Sequence, residues 1–238
     1  MSAAAAAGGA FVAASVAYWA AFGSRSQLFG AFPYEGDTDR KVVALTFDDG
    51  PNEPYTSRLL DTLQDREVPA TFFQVGRCAQ RFPAVTRRVV DSGHVLGNHS
   101  LSHSFGRYLS EPRQRREIEQ GEQALAEVSG VRPALYRPPW LCHWPWVLRS
   151  VQSAGLQVVS GTFGHSLEVF QPPARWLTAG AASRVGPGTV LILHDGREAR
   201  GGDRAQTVAS VGPLVDLLRQ RGYGFTTVDR LLGVPAYR

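Results

Sequence analysis

At 238 residues, 43% of them hydrophobic, the chain is long enough for one large core, and a single domain is favoured over two. Its 25 glycines and 15 prolines are spread along the sequence, which argues against low-complexity segments, and no internal repeat is visible. The net charge of +4 rests on arginines that are scattered, apart from Arg113, Arg115 and Arg116, without interleaved aromatics, so nucleic acid is not an expected partner.

In chain order, residues 1–24, MSAAAAAGGAFVAASVAYWAAFGS, carry no charged side chain. The length suits a membrane anchor, but the alanine content makes it only marginally hydrophobic. A cleaved signal peptide usually begins with basic residues, which are missing, and Arg25 follows on the side that disfavours export. An anchor, a signal and a solvated start therefore stay open, with residues 25–40 read as a linker and 41–235 as the folded domain. Beyond residue 40, β-branched and aromatic runs alternate with stretches of helical period. The expected strands are 41–47, 70–75, 95–98, 134–137, 157–161, 189–194 and 224–228. The expected helices are 55–66, 80–92, 111–129, 145–154, 174–185 and 207–221. Repeated βα units imply an α/β fold with a parallel sheet. Seven strands in one domain favour a closed or partly open βα barrel; an open doubly wound sheet is second, because no GxGxxG turn follows the first strand. Cys78 and Cys142 lack CxxC or zinc-finger spacing, so a disulfide framework and a structural zinc site are not expected, while one disulfide between them stays open.

In either architecture reactive groups gather at the C-terminal ends of the strands. The polar residues there are Asp48 and Asp49, His99 and His103, Arg137, and His194 with Asp195. His99 and His103 are four apart, so on one helical turn both imidazoles could meet one cation. Two histidines and a carboxylate with open positions form a common catalytic arrangement for Zn2+ or a similar divalent ion. If one of Asp48 and Asp49 binds the ion, the other is free to act as a base on activated water, since adjacent strand residues point opposite ways. His194 is placed to be the matching acid, or simply bonds Asp195. Arg137 could hold the basic Asp ionised by a bidentate contact, or is a surface arginine before Pro138-Pro139.

TFDDGP, GNHSLSH, YRPPW and LILHDG, in this order and at these separations, resemble the motifs of the NodB-homology polysaccharide deacetylases, carbohydrate esterase family 4. The resemblance runs from about Lys41 to Leu232 and implies a distorted (β/α)7 barrel. It also implies a metal-dependent hydrolase that removes N-acetyl groups from an amino-sugar polymer or oligomer. In these terms Asp48 is the general base, Asp49, His99 and His103 are the metal ligands, Arg137 orients the base and His194 is the general acid. The backbone N–H of Trp140 is implied to stabilise the oxyanion. The implied cofactor is Zn2+, with Co2+ as the alternative, and the implied partner is an N-acetylated carbohydrate such as peptidoglycan or a chitin-like oligomer, met outside the cytoplasm or at the membrane.

The chain departs from the family pattern in two places. Members usually carry an Asp-rich DxxDW segment whose Asp pairs with the acid histidine, but no Asp occurs between Leu156 and Pro173, where only His165 and Glu168 could replace it. Leu141 replaces a common glycine, and WLCHWPW adds aromatic bulk that either stacks on sugar or plugs the core. A catalytically weak carbohydrate-binding protein, and an O-acetyl esterase or non-sugar amidase, are the competing expectations.

Overall fold

The run VVALTFD forms β1 (Val42–Asp48), and every residue after the first is buried. Its side chains separate with the two-residue period of a strand. Val43, Leu45 and Phe47 enter a cluster with Leu59, Leu63 and Leu214, whereas Ala44 joins an inner cluster with Phe73, Val159 and Val190. Thr46 and Asp48 share the face of Ala44, so the sequence that fills the outer core also delivers a carboxylate to the barrel interior.

The computed structural model describes residues 3–238, with side chains from Val12 onward except at residue 13. The elements are α1 (Ala3–Phe22), β1, α2 (Tyr55–Gln64), β2 (Thr71–Gln74), α3 (Gly76–Arg81), α4 (Pro83–Asp91), β3 (Val95–Asn98), α5 (Phe105–Tyr108) and α6 (Glu111–Ser129). They continue as β4 (Leu135–Tyr136), α7 (Pro145–Ser153), β5 (Gln157–Val158), β6 (Thr162–Phe163), α8 (Ala174–Arg184), β7 (Val190–His194), α9 (Ala205–Gln220), β8 (Gly224–Thr226) and α10 (Val228–Leu232). Short 3-10 turns occupy Pro139–Leu141 and Glu168–Phe170.

All strand pairs are parallel, in the order β5-β4-β3-β2-β1-β7-β6, and β8 joins the start of β1. The two ends of that path, β5 and β6, are consecutive in the chain, so the sheet curls round without the two pairing. This is the distorted (β/α)7 barrel expected from the sequence, built as one domain. The expected strand 157–161 stops at Val158, and the separate β6 follows. The expected helix 80–92 is two helices, because Pro83 cannot continue the first. α6 has the expected limits and ends at Gly130, whose φ of 76° is the left-handed cap.

Among the described residues no helix is long and apolar enough to cross a membrane. The first two residues of the 1–24 segment lie outside the described part. The C-terminal end of α1 docks on the barrel: Ala20 and Ala21 are buried, and the Ala21 carbonyl accepts the His143 N–H at 3.0 Å. The segment read as a linker also packs against the barrel, since Pro33 O accepts the Ser160 N–H and Glu35 bridges Thr189. Cys78 and Cys142 are both free and buried, and burial pushes their thiols up to about 12 and about 11.

Candidate active site

Asp48 ends β1 opposite His194 of β7 in the parallel register, so neighbouring strands present a carboxylate and an imidazole at one rim. Arg137, fully buried, donates from Nη1 to Asp48 Oδ1 at 2.8 Å and to Thr46 Oγ1 at 2.6 Å. Its other nitrogens go to Val159 O at 3.3 Å and Ser160 O at 3.1 Å, and its Cζ lies 4.1 Å from the Phe73 ring centroid. Arg137 is therefore no surface arginine. Its contact with Asp48 is a single bond and not the expected bidentate one, because the rest of the fork serves backbone carbonyls.

Asp49 leaves the strand in the left-handed region at φ 75°. That change of backbone, beyond the pleat alone, turns the second carboxylate away from the first. Asp49 Oδ1 lies 3.3 Å from His99 Nε2 and 3.0 Å from His103 Nε2, and all three residues are buried. The Glu198 N–H donates to Asp49 Oδ2 at 3.0 Å. His99 Nδ1 meets the Arg137 carbonyl at 2.7 Å, and since a carbonyl only accepts, the ring must donate there. A neutral His99 then turns a bare Nε2 toward Asp49 Oδ1, an oxygen that is buried without a hydrogen bond. Acceptors this close repel one another unless a cation or proton lies between them. Their separations match the tetrahedral edge of about 3.3 Å that bonds of about 2.0 Å would give, so the three residues fit a divalent ion. Burial pushes the Asp49 carboxyl up, but the facing imidazoles of His103 and His99 and the charge of His194 outweigh it and hold Asp49 well below the usual carboxylate range.

The two ligand histidines do not share a helical turn. Residues 99–104 form a loop in which Ser100 and His103 have φ of 72° and 51°. Asn98 Oδ1 accepts the Ser100 N–H, and Ser100 Oγ accepts the His103 N–H. Glu117 Oε2 accepts both the N–H and the hydroxyl of Ser102 at 2.8 Å. The loop lies so close to α6 that a Cβ at Gly121 would stand 2.6 Å from the Ser100 carbonyl carbon. These local bonds outcompete helix formation and bring the i and i+4 imidazoles together by another route.

Across the cleft, His194 Nδ1 lies 3.0 Å from Glu168 Oε2, and the His194 N–H donates to Glu168 Oε1 at 2.9 Å. Thr207 Oγ1 donates to the same Oε1 at 3.1 Å. Burial alone pushes His194 down; the Glu168 carboxylate, with smaller help from Asp49 and Asp48, outweighs it and raises the imidazole to about 9. Of the two sequence candidates for the missing carboxylate, Glu168 occupies the place. His165 instead accepts the Leu167 N–H, and the Asp195 side chain accepts from Thr56. Phe163 lies parallel to the His194 ring, with centroids 6.3 Å apart.

These groups line a cleft of about 420 Å3 together with Trp140, Leu141, Arg197 and Arg204. The 3-10 turn at Trp140 is closed by the N–H groups of Leu141 and Cys142 on Pro138 and Pro139, so the Trp140 N–H is not one of its bonds. Trp140 itself has φ 54°, and its ring stands edge-on to His103 at 4.3 Å. Trp140, Trp144 and Trp146 all pack with Phe22 of α1 on one buried cluster, and of the three only Trp140 also lines the cleft; Trp146 Nε1 donates to the Tyr108 carbonyl. Sequence reasoning missed Phe163, and it missed Glu198, whose contribution is a backbone N–H that no residue type announces.

The sequence model of the polysaccharide deacetylase family matches residues 35–159. A peptidoglycan-N-acetylglucosamine deacetylase of Bacillus cereus is 33% identical over 210 residues, covering 85% of this chain and 93% of its own. A crystal structure of a peptidoglycan N-acetylglucosamine deacetylase in complex with 4-naphthalen-1-yl-N-oxidanyl-benzamide superposes with a TM-score of 0.80 at 27% identity, over 87% of this chain and 95% of that one. A family 4 acetyl xylan esterase of Clostridium thermocellum, in complex with a cobalt ion, superposes with a TM-score of 0.74 at 33% identity, over 83% and 94%.

Proposed function

The chain belongs to the polysaccharide deacetylase family, and from that premise we propose that it hydrolyses N-acetyl groups on a peptidoglycan- or chitin-like amino-sugar strand, using the residues of the cleft in distinct roles. The observation that carries this reading is the buried Asp49 oxygen faced by two imidazole nitrogens, beside a second carboxylate held by a buried arginine. Asp49, His99 and His103 would hold a divalent ion, Zn2+ in our reading with Co2+ as the alternative. Such an ion, when bound, supplies Lewis acidity for the acyl carbonyl and for water.

Asp48 takes the proton of the attacking water at its free Oδ2, while Arg137 fixes the orientation of the carboxylate through Oδ1. As the acetamide carbon becomes tetrahedral, its oxygen acquires negative charge that the Trp140 N–H, which the turn's own bonds do not use, would stabilise. His194 Nδ1 is engaged by Glu168, which leaves Nε2 to protonate the departing amine. At neutral pH the raised imidazole is charged and carries that proton. The C–N bond breaks, acetate leaves, and the amine stays on the sugar. A peptidoglycan substrate would place this work outside the cytoplasm. Residues 41–235 would form the catalytic domain, with the preceding segment packed on its rim.

A second reading, O-deacetylation, draws support from the likeness to an acetyl xylan esterase. Acetate release from N-acetylglucosamine oligomers, peptidoglycan and acetylated xylan, before and after chelation, separates the two. Release from the amino-sugar substrates should vanish with chelation and return with Zn2+ or Co2+. Release from xylan alone would favour the esterase, and release that survives full metal removal would overturn the ligand assignment.

A further inference from the structure

A second cavity of about 470 Å3 adjoins the catalytic cleft, and His103, Trp140 and Glu198 line both. A glycan seated with one acetamido group beside Asp48 therefore has a path into this trough for its next sugars. Phe105 and Trp140, perpendicular with centroids 5.2 Å apart, give the trough apolar faces suited to sugar rings.

Charge distinguishes these walls from a neutral sugar groove. Arg197 and Arg204 line the cleft, and Arg77 and Arg200 line the trough. Asp48, Asp49 and Glu168 are engaged with Arg137 or with imidazoles, so Glu198, 3.6 Å from Arg200, is the one further lining carboxylate. Among the described residues no carboxylate lies within 4.0 Å of the guanidinium groups of Arg77, Arg197 or Arg204. Arg204 is the telling case. It is only 2% exposed, and the side-chain bond it makes is from Nε to the Gly196 carbonyl at 2.6 Å. Its neighbour Asp203 is exposed and interacts with it only beyond contact distance, and a buried cation with no carboxylate in contact beside the reacting site is suited to an anion arriving with the ligand.

We propose that cleft and trough form one binding site for an acidic glycan: an N-acetylated amino-sugar strand whose sugars carry carboxylates. Arg197 and Arg204 meet the carboxylate nearest the reacting acetamide, and Arg77 and Arg200 meet one further along the strand. The site deepens the deacetylase reading above and rests on it. Arg77 touches none of the groups assigned to the reaction, so its substitution isolates the acidic subsite.

The test measures kcat and KM for acetate release from peptidoglycan strands with free carboxylates, the same strands after amidation, and a neutral N-acetylglucosamine oligomer. Wild-type KM should be lower for the free strands than for the amidated ones, and the gap should close as salt rises. Arg77→Ala should raise KM for the free strands about three- to tenfold, well beyond any change it makes for the neutral oligomer, and Arg77→Glu should raise it further. Equal wild-type KM for free and amidated strands, or an Arg77→Ala shift shared by the neutral oligomer, overturns the site and leaves the deacetylase reading standing. Calorimetric binding of the free and amidated strands reads the site without turnover, so absence of acetate release from every substrate overturns the deacetylase reading alone.

Discussion

The two halves of the cleft are built by different means. On the base side, Asp48 and its arginine sit at the ends of sheet strands, and Arg137 is locked by Thr46, Val159 and Ser160 as well as by Asp48. On the acid side, His194 also ends a strand, but its partner Glu168 comes from a three-residue 3-10 turn held down by Thr207 and Gln171. A strand end dictates position through the sheet register. A turn residue reaches its place through side-chain length and local bonds, so the same chemical pairing can be supplied from a different point in the chain. The base side should therefore be bound up with the stability of the fold, and the acid side chiefly with proton transfer.

The largest effect that would break this contrast is expected at Arg137. Arg137→Met removes the guanidinium donors from a buried cluster and leaves the Asp48 carboxylate unpaired, so urea unfolding should show a loss of about 3–5 kcal/mol together with loss of activity. A loss below about 1 kcal/mol would mean the base side is no more integral to the fold than the acid side. Next comes Glu168→Gln. The carboxylate raises His194 from 6.5 to about 9, so the acid stays protonated through neutral pH and the basic limb of the pH–rate profile falls near 9. Without that charge the limb should move toward neutral, and kcat at pH 8 should fall about tenfold or more. The same raised pKa stabilises the fold fully below about 6.5, and this contribution fades as pH rises through about 9. An unmoved limb would assign it to another group. The smallest effect is expected at His165→Ala, which should leave the limb in place and kcat within about twofold, because His165 makes no bond to His194.

The same contrast explains what could be read from the sequence. The chain motifs marked Asp48, Asp49, His99, His103, Arg137 and His194 because each follows or ends an apolar run, and strand ends in a parallel sheet converge. α6 was legible to the residue because its period is long and Gly130 stops it. β6 was not, since two residues give no alternation to detect and the strand is defined by its pairing with Leu191 and Ile192. The choice between Glu168 and His165 needed three dimensions: both occur in the same segment, and only the turn decides which side chain reaches His194. The helical reading of His99 and His103 failed because the spacing was right while the local hydrogen bonds of Asn98, Ser100 and Glu117 made a loop.

The division of labour between the adjacent carboxylates is tested most directly by metal stoichiometry and acetate release in Asp48→Asn and Asp49→Asn, measured side by side after loading with Zn2+. Asp48→Asn should keep its metal and lose turnover, whereas Asp49→Asn should lose both. Metal lost from Asp48→Asn, or retained at full stoichiometry by Asp49→Asn, would contradict the roles assigned to the pair.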